Sequence, residues 1–263
     1  MRVSMCTIAW KPTPIEAVLP TIAAAGYDGA ELWGPHLDRF AAEHGSLDAL
    51  VQQLAALGLQ APMVSAYFDL LNEPDEGIAV ATRHIHYALR VGAPLVRMFT
   101  GGGSSAAEPE VWAVVAEVLG EICALAAPYG VGLALETHQG HLHDSTPGTL
   151  RLLQMVNARN LGVNLDIYNL FAIGEDPLEA LAQLEPWLRI VHLKNVRTVG
   201  AASQPCGLAE GDLDYGPFLR ALAERAYGGF VSVEWFGPEP ERAAIAELAA
   251  VRQALAASSV ASP

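Results

Sequence analysis

Gly132-Leu133-Ala134-Leu135-Glu136 decides the fold. Side chains alternate along a strand, so Leu133 and Leu135 share one phase and Glu136 falls in the other with Gly132 and Ala134. In a parallel sheet closed into a barrel, one phase meets the surrounding helices and the other faces the interior. The leucines take the helix side, which turns Glu136 inward. The next strands repeat the pattern. Asp166 shares its phase with Gly162 and Asn164, opposite Val163 and Leu165; His192 lies opposite Val191 and Leu193; Glu234 runs with Phe230 and Ser232, opposite Val231 and Val233. Four successive strands thus each end in an inward carboxylate or imidazole, at the C-terminal end where α/β barrels carry their chemistry.

Outward from these strands the chain is an alternation of short β-branched or apolar runs with longer Ala/Leu-rich stretches at helical spacing, such as 47–57 and 178–184. Strands are expected over 3–9, 29–32, 61–65, 95–99, 132–136, 161–166, 189–193 and 230–234. Gly26, Gly58, Gly92 and Gly130 stand where helices should end in a left-handed residue. One βα unit recurs every 30 residues or so, the size of a βαβ element. Eight units in 263 residues predict a single (β/α)8 barrel, a TIM barrel of the α/β class, over 1–257, with 258–263 as a frayed tail. Gly101-Gly102-Gly103-Ser104 fits neither a dinucleotide fingerprint nor a P-loop, and reads as a flexible βα loop.

Composition excludes several function classes. Fifteen basic against 29 acidic side chains give a net charge of −14, which repels nucleic acid and anionic membranes. Apolar stretches such as 119–127 look too short to span a bilayer, and Met1-Arg2-Val3-Ser4-Met5-Cys6 runs into a strand with no export signal; a cytoplasmic location is expected. Cys6, Cys123 and Cys206 are odd in number and widely spaced, as for reduced thiols. A small anionic metabolite remains an acceptable partner, because a buried cation and nearby Arg or Lys side chains set the local potential. Composition leaves homo-oligomerisation open.

Three carboxylates and an imidazole converging inside a barrel would be unstable without a cation. Glu136, Asp166, His192 and Glu234 are therefore expected to hold a divalent metal, and an oxygen-rich set suits Mn2+, Mg2+ or Co2+ better than structural zinc. Two residues beyond two of these ligands stand His138, suited to a general base, and Lys194, suited to neutralising developing negative charge. Arg97 is the cation in the central stretch of a candidate strand and must pair or reach the cavity mouth; Tyr67 follows the third strand and is a further cavity residue. His84 and His86 are expected on a helix surface, and His141 and His143 in a polar turn are set aside.

Ser4-Met5-Cys6-Thr7-Ile8, Glu31-Leu32-Trp33-Gly34-Pro35-His36, Leu135-Glu136-Thr137-His138, Asn164-Leu165-Asp166, His192-Leu193-Lys194-Asn195, Glu210-Gly211 and Glu234-Trp235-Phe236-Gly237 together resemble the metal-dependent 3-dehydroshikimate dehydratases, which form protocatechuate and belong to the xylose isomerase-like superfamily. The likeness runs from Ser4 to Gly237. It implies a metal on the substrate's ketone and adjacent hydroxyl, His138 in proton transfer, and Tyr67, Arg97 and Lys194 on the anionic substrate. The long loop 196–214 is expected to close over the substrate, with Glu210 as a contact. Asn169 departs from the pattern: many relatives have His three residues after the Asp, and an amide can hydrogen-bond but cannot transfer a proton. The alternatives are a sugar isomerase or ketose 3-epimerase of the same superfamily, which would move protons with Glu136 and Glu234, and a non-enzymatic metabolite-binding barrel. An abasic-site endonuclease would need extra His and Asp ligands between His192 and Glu234, and no His-x-Asp or Asp-x-His pair occurs there.

Overall fold

The computed structural model describes residues 1–101, 103–200 and 202–260, apart from the side chains of 257–260. Its strands are β1 (Arg2–Cys6), β2 (Gly29–Trp33), β3 (Val64–Ser65), β4 (Leu95–Met98), β5 (Gly132–Glu136), β6 (Leu161–Asp166), β7 (Leu188–Leu193), β8 (Asn195–Val199), β9 (Ala202–Cys206) and β10 (Phe230–Val233). All but β8 and β9 close a barrel in which sequence neighbours lie side by side and β10 returns to β1, every pairing parallel. The expected eight-stranded barrel is the one observed.

The two phases of each strand enter two different cores. Leu133, Leu135, Val163, Leu165, Val191, Leu193, Val231 and Val233 join the large core between sheet and helices. Met63, Ala134, Ile190 and Phe230 instead form a small plug inside the barrel. Each plug residue on β5, β7 and β10 precedes a polar inward residue of the same phase, so the interior changes from apolar to ionic toward the C-terminal ends. Register aligns the polar layer: Asp166 lies opposite His192, His192 opposite Ser232, and Ser65 opposite Arg97. Gly26, Gly58, Gly92 and Gly130 end their helices at φ of +94°, +68°, +73° and +67°, as expected.

Several boundaries and placements differ from the sequence reading. β1 stops at Cys6 because Thr7–Trp10 winds into a 3-10 turn. β3 shrinks to two residues: Pro62 has no N–H to give the ladder, although the carbonyls of Gln60 and Met63 still accept from Ala30 and Leu32 at 2.9 and 3.0 Å. His84 is not on the surface. It is 2% exposed, with Nδ1 2.9 Å from the Val80 carbonyl, on the helix face that packs beneath Gly34. The loop 196–214 begins as an antiparallel hairpin of β8 and β9 whose side chains are largely exposed.

The apolar helix around 119–127 also proves longer than expected. With its 3-10 extension it runs Pro109–Tyr129 and, by length and composition alone, could cross a membrane. Trp112, Val115, Leu119, Ile122, Cys123 and Ala126 of this helix are buried, which accounts for the composition in a barrel-covering helix. The last helix extends to Val260, and 261–263, the end of the expected frayed tail, lie outside the described residues.

Candidate metal centre

Glu136 and Asp166 end β5 and β6, His192 is the fifth residue of β7, and Glu234 immediately follows β10. One ligand atom from each lies within 4.8 Å of the others, and all four residues are buried. The atoms without hydrogen bonds in this cluster are informative. Among the described residues, Glu234 Oε2 and His192 Nδ1 are buried with no hydrogen bond, while Glu136 Oε2 and Asp166 Oδ2 are met only by ion pairs, from Arg97 and Lys194 respectively. Buried polar groups are ordinarily satisfied, so two unbonded atoms beside two further carboxylates, all within 4.8 Å of one another, mark room for another cation. The donor set, three carboxylates and one imidazole at this spacing, fits a divalent ion.

Two cations bound the cluster. Arg97 Nη1 lies 2.7 Å from Glu136 Oε2 and 3.0 Å from Glu234 Oε1, so one guanidinium bridges two carboxylates of the cluster. Its Nη2 donates to the hydroxyl of Tyr67, a residue 40% exposed overall whose polar tip turns inward. Arg97 itself is 1% exposed and forms the floor of the site rather than its mouth. Lys194 Nζ lies 2.7 Å from Asp166 Oδ2 and 3.6 Å from Glu234 Oε2, and reaches the surface more than these two carboxylates do.

These contacts shift the ionisation of the cluster. Burial opposes the charge on Glu136, but Arg97 outweighs it and draws the carboxyl down to about 2. Glu234 is likewise held well below the carboxylate range, where His192 and Lys194 overcome burial. Burial works against the His192 charge too, yet Glu31, Glu234 and Glu136 together hold the imidazole well above its ordinary range. Asp166 is the exception: burial pushes its carboxyl up despite Lys194.

His138 lies at the rim, half-buried, with Nδ1 2.7 Å from the Gln139 carbonyl and its ring edge-on to Phe99 and His141. A carbonyl only accepts, so Nδ1 donates in that hydrogen bond. Thr137, between Glu136 and His138, exchanges hydrogen bonds with the backbone N–H and carbonyl of Asp166, both at 3.0 Å, tying the ends of β5 and β6 together. Asn169 reinforces the tie: its side-chain amide donates to the Thr137 carbonyl at 2.9 Å and its backbone N–H to Asp166 Oδ1 at 3.0 Å. The amide is thus engaged with the backbone.

Glu210 is not part of the cluster. It sits on an exposed turn beside a surface cleft shared with Trp235, Arg242 and Glu247, and its backbone carbonyl accepts from Arg197. What the neighbouring Gly211 does is clearer: a Cβ there would overlap the Asn195 side chain, which donates to the carbonyls of Leu208 and Leu213, each at 2.8 Å, and pins the base of the hairpin loop. Glu31 is the residue whose role the sequence reading missed. It is 0% exposed and lies 2.8 Å from His192 Nε2. The signal was present, since Ala30 and Leu32 face the helices and the same parity turns Glu31 inward.

The sequence pattern of the xylose isomerase-like TIM barrel matches residues 19–255. The chain belongs to that family. Among family relatives, a 3-dehydroshikimate dehydratase of Bacillus anthracis is 28% identical over 259 residues, covering 90% of this chain and 91% of the relative. The crystal structure of a probable 3-DHS dehydratase of petrobactin synthesis from Bacillus anthracis superimposes with a TM-score of 0.86 at 26% identity, over 96% of this chain and 99% of that one. A fructoselysine 3-epimerase of Shigella flexneri is 25% identical over 250 residues, covering 89% of this chain and 90% of the relative. The family therefore includes both dehydratases and epimerases, and membership leaves the choice of reaction to the site itself.

Proposed function

We propose that the chain is a divalent-metal-dependent lyase that dehydrates 3-dehydroshikimate to protocatechuate. One observation carries the choice over a 3-epimerase: Arg97 bridges Glu136 and Glu234 at 2.7 and 3.0 Å. An epimerase of this family would need those two glutamates to give and take protons on opposite faces of the substrate. With both held as anions they are poor proton carriers, and proton transfer passes to a residue outside the ligand set. His138, at the rim with Nδ1 held by the Gln139 carbonyl, would take that role through Nε2. The 28% identical dehydratase relative supports the same reading.

Glu136, Asp166, His192 and Glu234 would hold the cation, with Mn2+, Mg2+ and Co2+ as the ions such a set favours. When bound, the ion supplies Lewis acidity toward the substrate's ketone oxygen. His138 Nε2 takes the proton from the carbon beside the ketone, and the freed electron pair becomes an enolate. Collapse of the enolate expels the β-hydroxyl, which leaves as water with the proton returned by His138. The ring then tautomerises to the aromatic catechol, which makes the reaction one-way in practice. Lys194 and the Tyr67 hydroxyl, backed by Arg97, offer positive and hydrogen-bonding groups to the anionic substrate. Glu210 becomes a substrate contact if the loop that carries it folds toward the rim.

The test is direct. Mn2+-loaded protein mixed with 3-dehydroshikimate should develop the ultraviolet absorbance of a catechol carboxylate. No catechol product, with fructose-type ketoses epimerised instead, would overturn the dehydratase reading.

A further inference from the structure

The imidazole of His192 has two nitrogens with opposite surroundings. Nδ1 faces the cluster, 3.6 Å from Glu136 Oε1 and 3.4 Å from Glu234 Oε2, and makes no hydrogen bond. Nε2 points the other way, 2.8 Å from Glu31 Oε2. Glu31 in turn is held from two sides: Ser65 Oγ donates to Oε1 at 2.7 Å and Ser232 Oγ to Oε2 at 2.6 Å. Each of these partners comes from a different strand, and none is exposed. Both serines point their protons at Glu31, so the carboxylate cannot turn away from His192 without leaving a buried hydroxyl unsatisfied.

We infer that Glu31 is a positioning residue for the metal: its carboxylate fixes the His192 proton on Nε2, so that Nδ1 is presented as a ligand, and it supplies the charge that makes a dication the right guest. The first part follows from geometry, because a carboxylate accepts and never donates when ionised, and the facing nitrogen must carry the hydrogen. The second follows from counting. With His192 neutral, the buried groups are four carboxylates (Glu31, Glu136, Asp166, Glu234) and two cations (Arg97, Lys194), a net of −2. A divalent ion brings that to zero. Without Glu31 the same ion would leave a buried excess of +1.

The experiment uses the full chain stripped with chelator and titrated with Mn2+, free ion being read by electron paramagnetic resonance. Four proteins are compared: wild type, Glu31→Gln, Glu31→Ala and Ser65→Ala. Glu31→Gln keeps the shape and an acceptor for Nε2 but removes the charge; Glu31→Ala removes both. Losing such a partner weakens metal binding by roughly 10–100-fold, and Glu31→Ala should fall at the weaker-binding end. Ser65→Ala disturbs the same buried network with the charge in place, and should weaken Mn2+ binding less than either Glu31 variant. Melting of the metal-free proteins is measured in parallel. A merely structural role for Glu31 would lower that melting temperature and leave Mn2+ affinity unchanged, and this result overturns the inference. Failure of the wild type to take up Mn2+ would overturn the metal centre and the inference together, whereas tight wild-type binding matched by both Glu31 variants overturns the inference alone.

Discussion

Replacing Arg97 with Met tests whether the carboxylate cluster depends on its internal cation. The guanidinium lies 2.7 Å from Glu136 and 3.0 Å from Glu234, fully buried. At an effective dielectric of about 20, each contact is worth roughly 6 kcal/mol of gross attraction, most of which offsets the desolvation of the three groups. Removing one partner does not recover that desolvation, so a buried charge left unpaired typically costs about 3–5 kcal/mol. In the metal-free protein, with His192 protonated, the cluster moves from a net charge of −1 to −2. An unfolding entropy of about 2.1 cal/mol/K per residue over 263 residues gives roughly 0.55 kcal/mol/K, so the expected drop in melting temperature is about 5–9 °C. Saturating Mn2+ should narrow this gap, because the added dication takes over much of the neutralisation. Scanning calorimetry of both proteins with chelator and with Mn2+ reads all four values. A metal-free variant that melts within about 2 °C of wild type would refute the reasoning, as would a gap that widens on adding metal.

Three further outcomes are expected. His138→Ala should lower kcat by roughly 10²–10⁴-fold while Mn2+ titration of the variant matches wild type, since the imidazole moves a proton without holding the ion; undiminished turnover removes it from the mechanism. His36 is buried, with Nδ1 3.0 Å from Thr7 Oγ1 and Nε2 3.2 Å from the Trp10 carbonyl, and burial draws its pKa from the ordinary 6.5 to about 4. The unfolded chain then binds the extra proton first, so this stability is complete above about pH 6.5 and is lost as pH falls toward 4, to the extent of about 3 kcal/mol. Urea unfolding of His36→Gln should therefore depend less on pH than wild type over pH 4–7, and parallel curves would refute the assignment. Gly34→Ala would place a Cβ 2.3 Å from the Ser65 carbonyl and 2.5 Å from His84 Nε2, and should destabilise by about 1–3 kcal/mol in the same assay; a neutral result would show that β3 can yield there.

The convergence of Glu136, Asp166, His192 and Glu234 was legible because strand parity is a local property. Glu136 alternates with leucines, and no distant contact is needed to know which way it points. Glu31 obeys the same rule and was passed over as a functional residue because a lone buried glutamate announces no partner; its partner, His192, is 161 residues away. His84 was misplaced for a related reason. Its helix is amphipathic, but the buried face is decided by the turn of β2 into Gly34, which closes over the imidazole.

The sequence by itself determined the barrel, its inward phases and the residue types gathered at one end, since alternation along each strand and recurrence of βα units are written in the chain. Only the tertiary structure decided the protonation economy of the site. Whether Arg97 serves as floor or mouth, and which nitrogen of His192 faces Glu31, depend on distances between strands far apart in sequence. Those distances are set by closure of the barrel, which brings β2 and β4 to face β5, β7 and the end of β10 across a few ångströms of low-dielectric interior.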